Sequence, residues 1–405
     1  MGTLRPVDAE QQDQPFVLLG SAARRWPEPG CGCMLCTAGP ASQGSATVGL
    51  AVAGLRLDAA GTHPVLPAGQ TRTAGAVRLL ALPRSGDGVA LVVGVKGRTL
   101  LWAPGGGSLD AEVLDAVEGA ELDGAVLDLR GPDGEPDPVA LAHDVARLRR
   151  ARALAPGADL VAVGLTHAAG DLTRLAARIR AWGVRLAEPG TVVGLRPPPG
   201  GTAPAASRRT LVLGPAASGK SGLAEDLLAA EPDVVYLAPG SAPGPDDADW
   251  AARVAMHQQR RPPWWSTVEG GDVPALLARP GPPVLLDSLG TWVTHALERT
   301  GAWDDVPGWS DRYGTEVDSM VRAWRTGARR VVAVAEETGW GVVPSSGSGR
   351  RFRDALGRLT QRLADDSERV LLVVAGRAVD LDQLRVMDGR GAIDRLGAMK
   401  GLEQC

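Results

Sequence analysis

Five short apolar runs punctuate the second half of the chain: Thr210–Leu213, Val234–Ala238, Val284–Leu286, Val331–Ala335 and Val370–Val374. They are rich in β-branched residues and do not alternate apolar with polar, the pattern of strands buried on both faces. Helix-length segments separate them. This order predicts a mostly parallel sheet flanked by helices, with ligands at the carboxyl ends of the strands. The first half reads differently. Phe16–Leu19, Val48–Leu57, Val77–Leu82, Val89–Val95 and Thr99–Trp102 are strand candidates at hairpin and meander spacing. After them the pattern becomes strand Gly124–Leu129, amphipathic helix Pro138–Ala153, strand Leu160–Leu165 and helix Leu172–Trp182. Both halves are therefore expected to be α/β. Between them, Arg196 to Arg209 is rich in Pro and Gly and has no apolar periodicity, as a stiff, solvated linker should be. The expected organisation is a domain over 1–195, a linker over 196–209 and a domain over 210–405.

Length agrees, since 405 residues exceed one usual domain. A net charge of −4 argues against a nucleic-acid surface. No apolar run approaches the ~20 residues that span a bilayer, and the start lacks a signal-peptide apolar core. The expectation is a cytoplasmic protein with no membrane span and no nucleic-acid partner. Of the four cysteines, Cys31, Cys33 and Cys36 lie within six residues. That spacing is poor for a disulfide framework and better for a metal clip, because thiolates are good zinc ligands. His167 is a candidate fourth ligand; the alternative is three reduced surface thiols. His63 and His143 read as ordinary surface histidines.

The chemistry concentrates in the second half. Leu211-Val212-Leu213 runs into Gly214-Pro215-Ala216-Ala217-Ser218-Gly219-Lys220-Ser221, and a helix-compatible run follows from Gly222 to Ala230. Strand, G-x-x-x-x-G-K-S and helix in that order make a phosphate-cradling loop. Its backbone N–H groups and the free N–H groups of the helix start point at phosphates. Lys220 can reach the β- and γ-phosphates, and the Ser221 hydroxyl can take a position on Mg²⁺. Asp287 directly follows the third apolar run. It is placed to hold Mg²⁺ as the acidic residue ending a strand after the phosphate loop, or to cap a helix over Ser288–Arg299, or both. Ala251 to Pro262 reads as a helix ending in His257, Arg260 and Arg261; a lone histidine is more often structural and adjacent arginines a solvated face, but in a chain with a phosphate loop they could supply a nucleophile and its phosphate clamp.

Two resemblances follow. In the first half, Gly20-Ser21, Trp26-Pro27-Glu28-Pro29-Gly30 and Cys31-x-Cys33-x-x-Cys36, with Leu165-Thr166-His167 later, resemble the phosphodiesterase-like branch of the metallo-β-lactamase superfamily. The resemblance implies a metallo-β-lactamase-like domain and a structural zinc on the three cysteines. The superfamily's His-x-His-x-Asp-His motif is absent, so the domain is expected to be degenerate and non-catalytic. The second half resembles the bifunctional adenosylcobinamide kinase/adenosylcobinamide-phosphate guanylyltransferase family. Its G-G-x-R-S-G-K-S is met by Gly214–Ser221 and its Y-I-A-T by Tyr236–Pro239. Its A-R-I-x-x-H-x-x-x-R-P is met by Ala252–Pro262, and its W-R-T-x-E by Trp265–Glu269. Leu285–Thr294, Glu336–Pro344 and Arg351–Ala364 meet three more motifs in order.

That resemblance implies two transfers onto one corrinoid arm. A γ-phosphoryl from ATP or GTP goes to the aminopropanol hydroxyl of adenosylcobinamide. GMP from GTP then goes to that phosphate through a covalent GMP–histidine at His257, with Lys220 among the catalytic groups. The implied nucleotide contacts are Gly214, Pro215, Ala216, Ala217, Ser218, Gly219, Lys220, Ser221 and Gly222 of the loop. Pro239, Gly240, Ser241, Gln258, Gln259, Arg260, Arg261, Glu269 and Asp287 complete the set, with Mg²⁺ on Ser221 and Asp287. A homo-oligomer, with a trimer as its expected state, is implied too. The chain departs from the family pattern at Ala217 (Arg), Gln258 (basic), Pro239-Gly240 (Thr-Ser), Glu336 (Asn) and Thr360 (Asn). A guanylyltransferase alone, a kinase alone, or a nucleotide-binding regulatory module are the competing readings.

Overall fold

The computed structural model describes residues 16–20, 48–58, 66–83, 90–188, 190–194, 207–240 and 261–383. By contact the chain divides into two compact units. One is Met1–Ala206 with Asp226–Val234 and His257–Trp265; the other is Ser207–Glu225, Val235–Met256 and Ser266–Cys405.

The first unit holds two sheets. β1 (Val17–Gly20), β2 (Gly49–Val52) and β3 (Leu55–Asp58) form an antiparallel three-stranded sheet. The run Val48–Leu57, expected as one strand, is a hairpin. Ala53 and Gly54 both take left-handed backbone, with φ of 43° and 82°, and turn the chain back. The larger sheet has seven strands. β4 (Thr71–Ala74), β5 (Val77–Leu82), β6 (Ala90–Val95) and β7 (Arg98–Ala103) run as an antiparallel meander. β8 (Leu122–Asp128), β9 (Leu154–Val163) and β10 (Val184–Leu186) extend it in parallel from β7. α1 (Ala111–Ala116), α2 (Pro138–Arg150) and α3 (Leu172–Arg180) fall between the parallel strands, as crossovers require. Asp137 and Asp171 cap α2 and α3, each accepting from backbone N–H groups of the first turn. One face of the seven-stranded sheet joins β1–β3 in a cluster around Phe16, Leu18, Leu50, Leu79 and Trp102. The other face packs on α2 and α3 through Leu127, Leu141, Val145 and Ile179.

In the second unit, β11 (Arg209–Gly214), β12 (Val235–Ala238), β13 (Ser266–Glu269), β14 (Val284–Asp287), β15 (Val331–Glu336), β16 (Arg369–Val374) and β17 (Arg377–Asp380) make one sheet in the order β13-β12-β14-β15-β11-β16-β17. Every pairing is parallel except β16 with β17. The five expected strands are all present. The edge strands β13 and β17 add to them. The helices described are α4 (Lys220–Leu228), whose last residues from Asp226 on belong by contact to the first unit, α5 (Val273–Ala278), α6 (Leu289–Arg299), α7 (Trp309–Thr326) and α8 (Gly347–Asp365). Trp292, Val293, Met320, Trp324, Leu356 and Leu359 pack on Leu286, Ala333 and Leu211 to form the core.

Candidate functional site

β11 lies inside the sheet and ends at Gly214, where the loop begins. Gly214 is opposite Glu336 of β15, and the Glu337 N–H donates to Gly214 O at 3.0 Å. A Cβ on Gly214 would stand 2.7 Å from Val373 O and 2.6 Å from Ser218 Oγ. The loop can therefore start only from glycine at this point. Ala217 sits at φ 56° and Gly219 at φ 93°, which curls the backbone around a concavity. Such left-handed turns aim successive N–H groups inward. The far side is latched by β16–β17, whose turn residue Gly376 donates its N–H to Ser218 O at 2.9 Å. Ser218 is 95% buried and its hydroxyl has no hydrogen-bond partner among the described residues, so it is a donor left over for a ligand. α4 starts at Lys220, and Lys220 Nζ lies a long 3.3 Å from Pro215 O. Gly214→Ala should overpack this corner and lower stability by about 1–3 kcal/mol; a chemical-denaturation midpoint for the variant checks it.

β14 brings Asp287 to the same sheet edge, with only β15 between it and β11. The Asp287 carboxylate accepts from Tyr236 Oη at 2.9 Å. Asp287 does not cap the helix that follows. Ser288 does, its hydroxyl accepting from Thr291 N, so the capping alternative for Asp287 is corrected. A serine one residue later competes for the same N–H and leaves the carboxylate to face the site. Asp287 is level with Val334, and side chains alternate along a strand. Glu336, two residues on, therefore projects from the same face as Asp287. Its Oε2 is buried without a partner among the described residues. Glu269 ends β13, and Gly270 N donates to Ala238 O at 2.7 Å, just before Pro239 and Gly240. Gly240 is close to α6, since a Cβ there would meet Thr291 Cγ2 at 3.0 Å.

The structure thus gathers Gly214–Gly222, Pro239, Gly240, Glu269 and Asp287 at one carboxyl edge. Ser241, His257, Gln258, Gln259 and Arg260 lie outside the described residues, as do Cys31, Cys33, Cys36 and His63. Arg261 is partly buried at the start of the next described stretch. His167 opens a single 3₁₀ turn, His167–Ala169. His143 is not an ordinary surface histidine: its ring meets Trp264 edge to face at 5.4 Å, and burial, with Arg147 nearby, pushes its pKa down. Two groups were missed in sequence. Tyr236 was visible only as part of a strand-end match, and Glu336 only as a departure. Their proximity to Asp287 needs the pairing of β12, β14 and β15. Among the described residues no group of three His, Cys, Asp or Glu is placed to hold a metal, and no helix is long and apolar enough to cross a membrane.

The profile of the cobinamide kinase/cobinamide phosphate guanyltransferase family matches residues 210–381. The bifunctional adenosylcobalamin biosynthesis protein CobU of Escherichia coli K12 is 36% identical over 180 residues, 42% of this chain and 98% of that protein. The chain belongs to the cobinamide kinase/cobinamide phosphate guanyltransferase family. CobU of Salmonella typhimurium LT2 is 35% identical over 181 residues, 98% of its length. CobP of Pseudomonas aeruginosa, also named a bifunctional adenosylcobalamin biosynthesis protein, is 36% identical over 178 residues, 96% of its length. Among solved structures, zinc-bound PqqB from Methylobacterium extorquens aligns with 44% of this chain and 98% of its own, at 14% identity and a TM-score of 0.29. A likeness at that score assigns no fold. The family match, over residues 210–381, spans the described residues of the nucleotide site from Gly214 to Asp287.

Proposed function

We propose that this family member phosphorylates adenosylcobinamide with ATP or GTP and then transfers GMP from GTP to that phosphate, giving adenosyl-GDP-cobinamide. The observation that carries this reading is the convergence of the Gly214–Ser221 loop and Asp287 at one sheet edge, in a chain that keeps His257 in its family motif. In the first step the substrate hydroxyl attacks the γ-phosphorus and ADP or GDP leaves. In the second, neutral His257 imidazole attacks the α-phosphorus of GTP and pyrophosphate leaves. The substrate phosphate then attacks the phosphoramidate, and His257 departs neutral after taking a proton. Loop N–H groups, the Ser218 hydroxyl and Lys220 hold the charge that shifts during both transfers. Asp287, oriented by Tyr236, and Ser221 offer an all-oxygen donor set, which suits a magnesium ion arriving with the nucleotide. That ion would neutralise phosphate charge.

Incubation with α-labelled GTP tests the reading. An acid-labile, base-stable label on the protein is expected; an unlabelled wild-type chain sinks the guanylyl-transfer step. For the first half we propose a degenerate metallo-β-lactamase-like domain without hydrolase activity, joined through the 196–209 linker. At the end of β8, Asp128 pairs with Arg130 at 2.6 Å. Zinc on Cys31, Cys33 and Cys36 is a separate expectation. Native mass spectrometry should find one zinc per wild-type chain and none in Cys33→Ser.

A further inference from the structure

The helix that begins with Lys220 has an unusual end. Asp226 sits in the last turn of α4, where the helix dipole disfavours a negative charge, and that turn carries no basic residue. The last carbonyls of a helix also lack intrahelical partners. Both needs are met from α3 and the turn after it. Arg178 grips the Asp226 carboxylate with Nε at 2.9 Å from each oxygen and one terminal nitrogen at 2.5 Å. Trp182 Nε1 donates to Asp226 O at 2.7 Å, and the Arg178 guanidinium stacks over the Trp182 ring at 5.4 Å. From α2, Arg149 donates to Ala230 O at 2.8 Å, and Arg150 pairs with Asp233. Ala229 and Ala230 are buried in one cluster with Ala142, Val145, Leu148 and Ile179. The same α2 carries His143 against Trp264, three residues past Arg261.

Asp226 is an expensive residue to place here. Burial pushes its carboxyl pKa up, and Arg178 pulls it back only in part. A carboxylate this desolvated is retained where its partner fixes a geometry. α4 is a rod of nine residues, about 13 Å long, so restraint at its last turn is transmitted to its first. Its first turn carries Lys220, Ser221 and the free N–H groups.

We propose that Arg178 and Trp182 are positioning residues for nucleotide binding: they hold the end of α4 and thereby aim the phosphate loop at its ligand. This rests on the phosphate-loop reading and not on the covalent histidine.

The test uses the full chain, with mant-GTP titrated at fixed Mg²⁺ and thermal midpoints measured without nucleotide. Arg178→Met is expected to weaken mant-GTP binding about tenfold, and Asp226→Asn by a similar factor. The double variant should be no weaker than Arg178→Met alone, because the two act as one device. Trp182→Phe keeps the ring, loses the donor, and should weaken binding about threefold; it carries the test if Arg178→Met fails to fold. A lowered thermal midpoint with unchanged mant-GTP affinity in the folded variants would overturn the proposal, as would independent, additive losses. A wild-type chain that binds mant-GTP but takes no label from α-labelled GTP defeats the two-step function and leaves this inference standing.

Discussion

His257→Ala should take no covalent label from α-labelled GTP and form no adenosyl-GDP-cobinamide, while still phosphorylating adenosylcobinamide. The reasoning is chemical. GMP transfer through a phosphoramidate requires one nucleophilic nitrogen, and alanine has none. Water or the substrate phosphate attacking GTP directly would have to displace pyrophosphate without the intermediate that splits the step in two. Guanylyl transfer is therefore expected to fall below detection. The kinase step differs in kind. The substrate hydroxyl attacks the γ-phosphorus directly, and the groups that serve it are on the other motifs: the loop from Gly214, Lys220 at the head of α4, and Asp287 held by Tyr236 at 2.9 Å. The measurement is a pair of assays on one preparation, with γ-labelled ATP for the first product and α-labelled GTP for the protein-bound label. Retained label in His257→Ala would move the nucleophile elsewhere.

The buried strands were legible because physics writes them plainly. β11, β14 and β15 are buried along most of their length and β16 along half of it, and unbroken apolar runs of this kind fit strands covered on both faces. β4, β13 and β17 were not, because each is a short edge strand with mostly exposed residues: Thr-Arg-Thr-Ala, Ser-Thr-Val-Glu and Arg-Ala-Val-Asp. Nothing in such a sequence distinguishes a strand from a loop until a neighbour offers its hydrogen bonds. The Val48–Leu57 run hid a turn for the opposite reason, since Ala53-Gly54 is weakly polar and interrupts no periodicity. At the site, the loop was readable to the residue because its spacing is the chemistry. The Tyr236–Asp287 contact was not, because it depends on Tyr236 lying level with Leu285 in the β12–β14 register. The caps show the limit of local reading. Asp287 and Ser288 are equally good helix caps, and only the fold decides that serine caps and aspartate pairs with Tyr236.

Lys220→Met should lower both transfers by about 10²–10³ in turnover, which separates it from His257→Ala. The methionine keeps the stem of the side chain and removes the charge. In the structure Lys220 Nζ rests 3.3 Å from Pro215 O, a long contact with a neutral carbonyl that a phosphate oxygen would readily replace. The residue also opens α4, so its ammonium lies with the free N–H groups at the positive end of the helix dipole. Phosphate charge shifts toward the leaving group in both steps, to ADP or GDP in one and to pyrophosphate in the other. On the proposed reading one cation, Lys220 at the head of α4, serves both. Stability should barely change, because among the described residues Lys220 makes no ion pair and only a long contact with Pro215 O. The check is a comparison of turnover and half-saturating nucleotide in the two assays, with a denaturation midpoint for each variant. Loss of guanylyl transfer alone would mean that the γ-phosphoryl is handled by a different set of groups, and the single-site account of the two reactions would fall.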